Sequence, residues 1–297
     1  MLGTDLELSK KARFKECPAC GARDFKPFPK HTEEFSPPKN WRDFFYGPNT
    51  MLGPISQCCE CGFHFLEHPS SMADDLYKDA DISDYLNLEP QRVSYFRAVR
   101  REAVKRRIEL NDYNNIVDFG CAAGNWLEVF QTGQTKIGIE LNSDFEPILT
   151  KKGILRVDDY DDIEGGVPLW VAAFDFVEHM EDPYSFLQFL AAKPGAAQNS
   201  YIFGVPDVGR IWAKWLGSKY YLYCPMHFNY FDANSLKLIC ERAFPHHQVD
   251  IFNSPIMFTN LKGVLKWIVP KLASTSLGKL NLPLGYRANV MAVVTPN

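Results

Sequence analysis

The sequence predicts an α/β protein with a small metal-bound ribbon ahead of it. Two observations carry this: a strand–turn–helix–strand unit that ends in an acid near residue 140, and two cysteine knuckles in the first 61 residues. Composition agrees, with 46% apolar, 23% charged and 14% aromatic residues among 297. That supplies enough apolar surface for a buried core, so disorder is excluded as the main state. No run approaches the roughly 20 apolar residues of a membrane span. The opening residues show no apolar signal segment, so a cytoplasmic protein is expected. The net charge of −4 argues against a chain that coats nucleic acid. The charge is uneven: after Asp250 there is no acid, while Lys262, Lys266, Lys271, Lys279 and Arg287 give +5.

The first element, residues 1–70, is read as a zinc ribbon. Cys17-Pro-Ala-Cys20-Gly and Cys58-Cys-Glu-Cys61-Gly each aim two thiolates at one point, with a glycine that lets the backbone turn round a metal. Cys17, Cys20, Cys58 and Cys61 are the expected ligands, and Cys59 the spare thiol. Four thiolates leave no open coordination position, so the site is expected to be structural. Two disulfides are the rival, weakened by the missing secretion signal. The 37 residues between the knuckles hold an inserted loop rich in Pro, Asn and aromatics.

Residues 71–113 form a bridging segment. Val93, Phe96, Ala103, Val104 and Ile108 recur at helical spacing. The seven basic residues from Arg92 to Arg107 are interrupted by Glu102 and flanked by Glu89 and Glu109, which reads as a solvated helix face rather than a nucleic-acid surface.

Residues 114–297 carry the chemistry. Ile116-Val117 and Phe119 suit a buried strand, and Gly120 and Gly124 allow a tight turn that another backbone or a ligand can approach closely. A helix is expected to start at Trp126, and the next strand, Lys136–Ile139, ends in Glu140. A carboxylate there can accept both hydroxyls of a ribose. The spacing D-x-G-x-x-x-G, from Asp118 to Gly124, differs from the dinucleotide form G-x-G-x-x-G.

These residues resemble the class I S-adenosylmethionine-dependent methyltransferases, whose first motif reads D-h-G-C-G-x-G. Here Asp118-Phe-Gly-Cys-Ala-Ala-Gly124 has Ala122 in place of the central glycine. The resemblance implies a Rossmann-like, seven-stranded, mostly parallel sheet with helices on both faces. It puts Asp118, Gly120, Ala122, Gly124, Glu140, Phe174 and Asp175 at the cofactor, with Asp158 or Asp159 at its adenine. It continues through Phe174-Asp-Phe-Val-Glu-His179-Met-Glu-Asp-Pro183, Tyr201-Ile-Phe-Gly-Val-Pro206 and His227-Phe-Asn-Tyr-Phe231, covering about residues 85–295. Leu169 stands where the family has a strand-start Asp. The knuckles with Cys61-Gly-Phe-His-Phe65 resemble the ribbon ahead of bacterial sugar and cell-surface-glycan methyltransferases.

Acceptors in such a fold sit beyond the ends of strands four and five. His179 and His227 fall there and are the candidate bases, with Glu178 as an orienting group; Tyr220, Tyr221 and Tyr223 are candidate ring contacts. Insertions at 206–232 and 254–286 flank the acceptor. The expected reaction is methyl transfer to a small-molecule hydroxyl, most simply on a sugar, nucleotide-sugar or glycan precursor. An RNA methyltransferase whose ribbon grips a stem, and a non-catalytic cofactor-binding scaffold, are the rivals. Residues 260–271 place Leu261, Leu265 and Ile268 on one helical face and Lys262 and Lys266 on another. Similarity to the ubiquinone-pathway O-methyltransferases implies peripheral membrane contact through this segment and a phosphorylated or lipid-linked acceptor.

Overall fold

The computed structural model describes residues 13–28, 53–69, 73–78, 81–82, 86, 89–106, 113–163, 167–216, 220, 222–260, 283–286 and 289–297. The cationic segment expected at 260–271 lies outside them from residue 261 onward, as does Tyr221.

A seven-stranded sheet organises the chain. Its strands are β4 (Asn115–Phe119), β5 (Thr135–Ile139), β6 (Leu155–Val157), β7 (Leu169–Phe174), β8 (Ser200–Pro206), β10 (His247–Asn253) and β13 (Asn289–Pro296); β11 (Met257–Asn260) and β12 (Pro283–Tyr286) pair with each other outside it. The order is β10-β13-β8-β7-β4-β5-β6. β4 to β8 run parallel, whereas β13 is antiparallel to both β8 and β10. The order doubles back at β4, so β4 and β7 leave a crevice at their C-terminal ends, the usual ligand position in a doubly wound sheet. β7 and β8 are buried at every residue, which is why LWVAAF and SYIFGVP read as continuous apolar runs rather than alternating ones.

Helices α1 (Ala73–Lys78), α2 (Glu89–Val104), α3 (Glu146–Lys151), α4 (Pro183–Ala191), α5 (Ile211–Leu216) and α6 (Ala233–Ala243) complete the framework. Asp182 caps α4 through Ser185 N–H with Pro183 in its first turn, and Asp232 caps α6 in a reciprocal box with Ser235. Among the described residues the bridging segment is helical over 73–78 and 89–104, and Asp81 and Ile82 between them lie outside any helix, so it is not one continuous helix.

The helix expected at Trp126 does not form; residues 127–129 make a single 3₁₀ turn. The reason is space and packing. Only 15 residues separate β4 from β5. Within them the fully buried Trp126 and the buried Phe130 are anchors, with ring centroids 5.4 and 5.1 Å from Trp170. Phe96 of α2 packs 5.9 Å from Trp126, so α2 covers the face that this helix would occupy.

The ribbon contributes β1 (Phe25–Pro27), β2 (Ile55–Cys58) and β3 (His64–Leu66), but its sheet is completed by β9 (Asn229–Tyr230) from the far end of the chain. Phe63 and Phe65 join the same buried cluster as Val117, Val171, Phe203 and Phe231, so one core runs through both parts. Arg242 of α6 donates to the carbonyls of Cys17 and Pro18, both at 3.0 Å. No described helix is long and apolar enough to cross a membrane.

Candidate active site

The turn after β4 is built by backbone conformation. Gly120 and Gly124 have φ of +64° and +70°. A Cβ on Gly120 would lie 2.8 Å from the Phe176 ring, and one on Gly124 would lie 2.4 Å from Ile154. Side chains are thus excluded by conformation and by space. Ala122 holds φ of +46°, a left-handed conformation that an L-residue avoids at a cost of roughly 1–2 kcal/mol. This explains the glycine that the family places at this position. The strain is held in place by Glu140, whose Oε2 accepts the Ala122 N–H at 2.8 Å while Oε1 accepts the Asn142 N–H at 2.8 Å.

Burial raises the Glu140 carboxyl above its usual range, with the amides of Asn142 and Ala122 pulling the other way. Asp118, 4% exposed, is raised well above its ordinary value by burial and then by the charge of Glu140. Two carboxyls so placed mark a functional cavity rather than a solvated rim.

That cavity, of about 630 Å³, is lined by Asp118, Gly120, Ala122, Glu140, Asp158, Asp159, Phe174, Asp175 and His179. The structure therefore brings together most of the predicted residues. Gly124 acts from behind, against Ile154 and Leu149. Asp158 is largely exposed and paired with Arg156 at 2.8 Å. Asp159 caps the 3₁₀ turn that follows β6. Asp175 has φ of +49° and accepts from Asn289 Nδ2 at 2.6 Å. Sequence reasoning missed Tyr77, Arg92, Asn142 and Phe176, which also line the cavity. Tyr77 and Arg92 carry no local motif; they reach the cavity because α1 and the start of α2 close over it.

At the far side, His179 is the cavity residue, while Glu178 and His227 stand behind it, 1% and 3% exposed. The two imidazole centroids are 5.1 Å apart. Met226 O lies 2.6 Å from His179 Nδ1, and Leu222 O lies 2.7 Å from His227 Nδ1. A carbonyl only accepts, so each Nδ1 carries the proton. Tyr77 Oη is also 2.7 Å from His179 Nδ1. Burial, then the neighbouring His227, lowers His179 to about 3, and burial lowers His227 to about 4. Burial, then Asp175, raises Glu178 well above its ordinary value. Tyr220 and Tyr223 are core residues packed beside the ribbon, in a cluster with Ile55 and Leu66.

In the ribbon, the sulfurs of Cys17, Cys20, Cys58 and Cys61 all lie within 4.8 Å of one another. Cys17–Cys61 and Cys20–Cys58 are both 3.6 Å apart. Four thiolates on bonds of about 2.3 Å stand roughly 3.8 Å apart at the corners of a tetrahedron, so the set fits one zinc ion. Cys59 is exposed and outside the group.

Comparison with known proteins identifies the fold. No curated protein sequence matches the chain. Among solved structures, the plantazolicin methyltransferase BpumL with S-adenosylhomocysteine bound shares 14% identity and a TM-score of 0.52, over 76% of this chain and 94% of that one. A possible histamine N-methyltransferase from Thermotoga maritima shares 13% identity and a TM-score of 0.45, over 73% and 96%. The magnesium protoporphyrin IX methyltransferase of Synechocystis PCC 6803 shares 14% and 0.43, over 74% and 90%. The methyltransferase-domain family model matches residues 91–243, more than half of the chain, and the match spans β4, the turn at Gly120 and Glu140. The chain belongs to the methyltransferase-domain family and is an S-adenosylmethionine-dependent enzyme.

Proposed function

We propose that this enzyme methylates a hydroxyl of a small, hydroxyl-rich acceptor: a sugar, a nucleotide-sugar or a glycan precursor. The observation that carries the reading is the character of the cavity. It continues from Glu140 to His179 and Glu181; with Asp118, Glu140, Asp158, Asp159 and Asp175 given to the cofactor in this reading, the charged side chains left on its wall are Asp81, Glu181 and one basic residue, Arg92. Carboxylates accept hydrogen bonds from hydroxyls and repel polyanions. With two acids and a single arginine, the remaining wall lacks the basic stripe that would hold an RNA strand among the described residues, which supports a small hydroxyl-bearing molecule. The volume falls within the ordinary range for small-molecule sites.

In this reading Glu140 holds the ribose and the turn at Asp118–Gly124 meets the amino-acid portion of the cofactor. Phe174 and Asp175 complete that side, and Asp158 or Asp159 faces the adenine. Bound there, S-adenosylmethionine supplies an electrophilic methyl group. The protein orients the acceptor, excludes water and handles one proton. Acceptor activation falls to the cluster of Glu178, His179 and His227, which touches the cavity through His179. Cys17, Cys20, Cys58 and Cys61 would hold a structural zinc ion that fixes the ribbon.

A phosphorylated or lipid-linked form of such an acceptor, presented at a membrane through residues 260–271, belongs to the same reading. Its check is salt-sensitive binding to anionic vesicles, lost in Lys262→Glu/Lys266→Glu, since each lysine near an anionic surface contributes on the order of 1 kcal/mol. The decisive test of the function is methyl incorporation from labelled cofactor into a panel of sugars and nucleotide-sugars, set against total RNA. Incorporation into RNA alone would overturn the acceptor class.

A further inference from the structure

We propose that Glu178, His179 and His227 form a second metal site, one that holds a divalent first-row cation beside the acceptor end of the cavity. One ligand atom from each of the three lies within 4.8 Å of the others. His179 Nε2 is 3.7 Å from Glu178 Oε1. Ligands on bonds of about 2.1 Å stand roughly 3.0 Å apart in cis and 4.2 Å in trans, so a small side-chain rotation closes the triangle on an ion.

Two further observations point to a cation. Glu178 is 1% exposed; neither carboxylate oxygen makes a well-aligned hydrogen bond among the described residues, and its nearest donors are the backbone amides of Phe176 and Glu178 rather than any side chain. A buried carboxylate without well-aligned donors is costly and calls for a positive partner. Both histidines also commit Nδ1 to a backbone carbonyl, Met226 O at 2.6 Å and Leu222 O at 2.7 Å. In the neutral ring this leaves the Nε2 lone pair of His227 for the site; the His179 ring also has the Asp175 carbonyl beside it, which a bound ion would displace. Metal-bound histidines are held in this manner, the outer N–H donated to a carbonyl so that the inner nitrogen faces the ion.

Two imidazoles and one carboxylate suit Mn²⁺, Fe²⁺ or Zn²⁺ and leave coordination positions open. His179 lies on the cavity wall, so those positions are within reach of an acceptor oxygen, which a bound cation would polarise. The site stands on geometry alone, whereas this role rests on the proposed methyl transfer.

The test is a Mn²⁺ titration followed by electron paramagnetic resonance, on full-length protein with its ribbon metal in place and no acceptor present. Manganese competes poorly for thiolates, so the ribbon is not read. Wild type should bind one Mn²⁺ per chain. Glu178→Gln and His227→Gln should each weaken binding by at least about tenfold, with zinc content and S-adenosylhomocysteine affinity unchanged. No saturable Mn²⁺ signal in wild type, or wild-type affinity in Glu178→Gln, would overturn the site. Should Glu178→Gln fail to fold, His179→Gln and the wild-type titration still decide. Loss of Mn²⁺ binding leaves sugar methylation standing, and an inactive acceptor panel leaves Mn²⁺ binding standing.

Discussion

Glu140→Gln is a sharp test of the cofactor side, because this carboxylate braces the turn and, in the proposed function, also holds the ribose. An ionised carboxylate has about four acceptor positions. Two are taken by the amides of Ala122 and Asn142, each at 2.8 Å, which leaves two for a ribose diol. Glutamine keeps the volume but turns one oxygen into an amide nitrogen. That nitrogen faces one of the two N–H groups, donor against donor, and one diol acceptor is lost as well. A hydrogen bond to a charged acceptor contributes about 1.5–3 kcal/mol, so S-adenosylhomocysteine affinity should fall about ten- to a hundredfold. The unsatisfied amide should cost a further ~1–3 kcal/mol in stability, most visibly if it is the amide that holds Ala122 at φ +46°. Calorimetric titration gives the first quantity and thermal melting the second. A variant that melts lower yet binds S-adenosylhomocysteine within about twofold of wild type would show Glu140 to be a brace for the turn only, and would refute its role at the ribose.

Other outcomes follow from the same geometry. Ala122→Gly should relieve about 1–2 kcal/mol of left-handed strain, partly offset by the entropy that glycine adds to the unfolded chain; a melting temperature that falls by several degrees would contradict this. Cys20→Ser should abolish zinc binding and Cys59→Ser should not, as read by metal analysis; equal loss in both would sink the four-thiolate assignment. Burial raises Asp118 and Glu140, so the folded state keeps their protons above the pH at which the unfolded chain releases them. Their stability contribution is therefore present at low pH and is lost as pH rises through the raised values, while cofactor affinity, which needs ionised Glu140, rises over the same window. Titrations of S-adenosylhomocysteine from about pH 5 to about pH 8 should show that rise, and a flat profile would contradict it.

Much of the sheet was legible because its strands announce themselves. The runs at 169–174 and 200–206 are buried on both faces, so they are apolar throughout, and the turn at Gly120 needs residues that tolerate positive φ. The missing helix at Trp126 was not legible. Its replacement by a 3₁₀ turn depends on α2 packing Phe96 against Trp126, a contact between segments that no local pattern encodes. The same holds for Tyr77, whose place beside His179 depends on where α1 lies. The pairing of His179 with His227 was visible only as two histidines after two strands; that one lines the cavity while the other stands behind it required the fold.

The connection of the ribbon to the segments bearing His179 and His227 has the same origin, and it changes what a zinc ion held by the four cysteines would be for. β3 pairs with β9 through His64–Tyr230 and Phe65–Asn229. β9 begins two residues after His227. Leu66 N–H donates to Phe228 O at 2.9 Å. Arg13, whose guanidinium burial lowers to about 10, reaches Leu66 O at 3.0 Å, Phe228 O at 3.2 Å and Met180 O at 3.2 Å, and also Glu181 O. The segments bearing His179 and His227 are thus clamped by residues from the first 70, while the turn at Gly120–Gly124 is braced by Glu140, Leu149, Ile154 and Phe176. Losing the ribbon metal should therefore act unequally. In Cys20→Ser, S-adenosylhomocysteine affinity should stay within a few-fold of wild type while turnover falls by roughly an order of magnitude or more, because a misplacement of about 1 Å at the acceptor can cost on the order of a hundredfold. Arg13→Met should give a milder version with zinc retained. The measurement is cofactor affinity and turnover on the same preparations. If Cys20→Ser keeps full turnover, or loses cofactor binding in proportion to activity, the ribbon does not brace the acceptor side, and the β3–β9 pairing is only the seam where it docks.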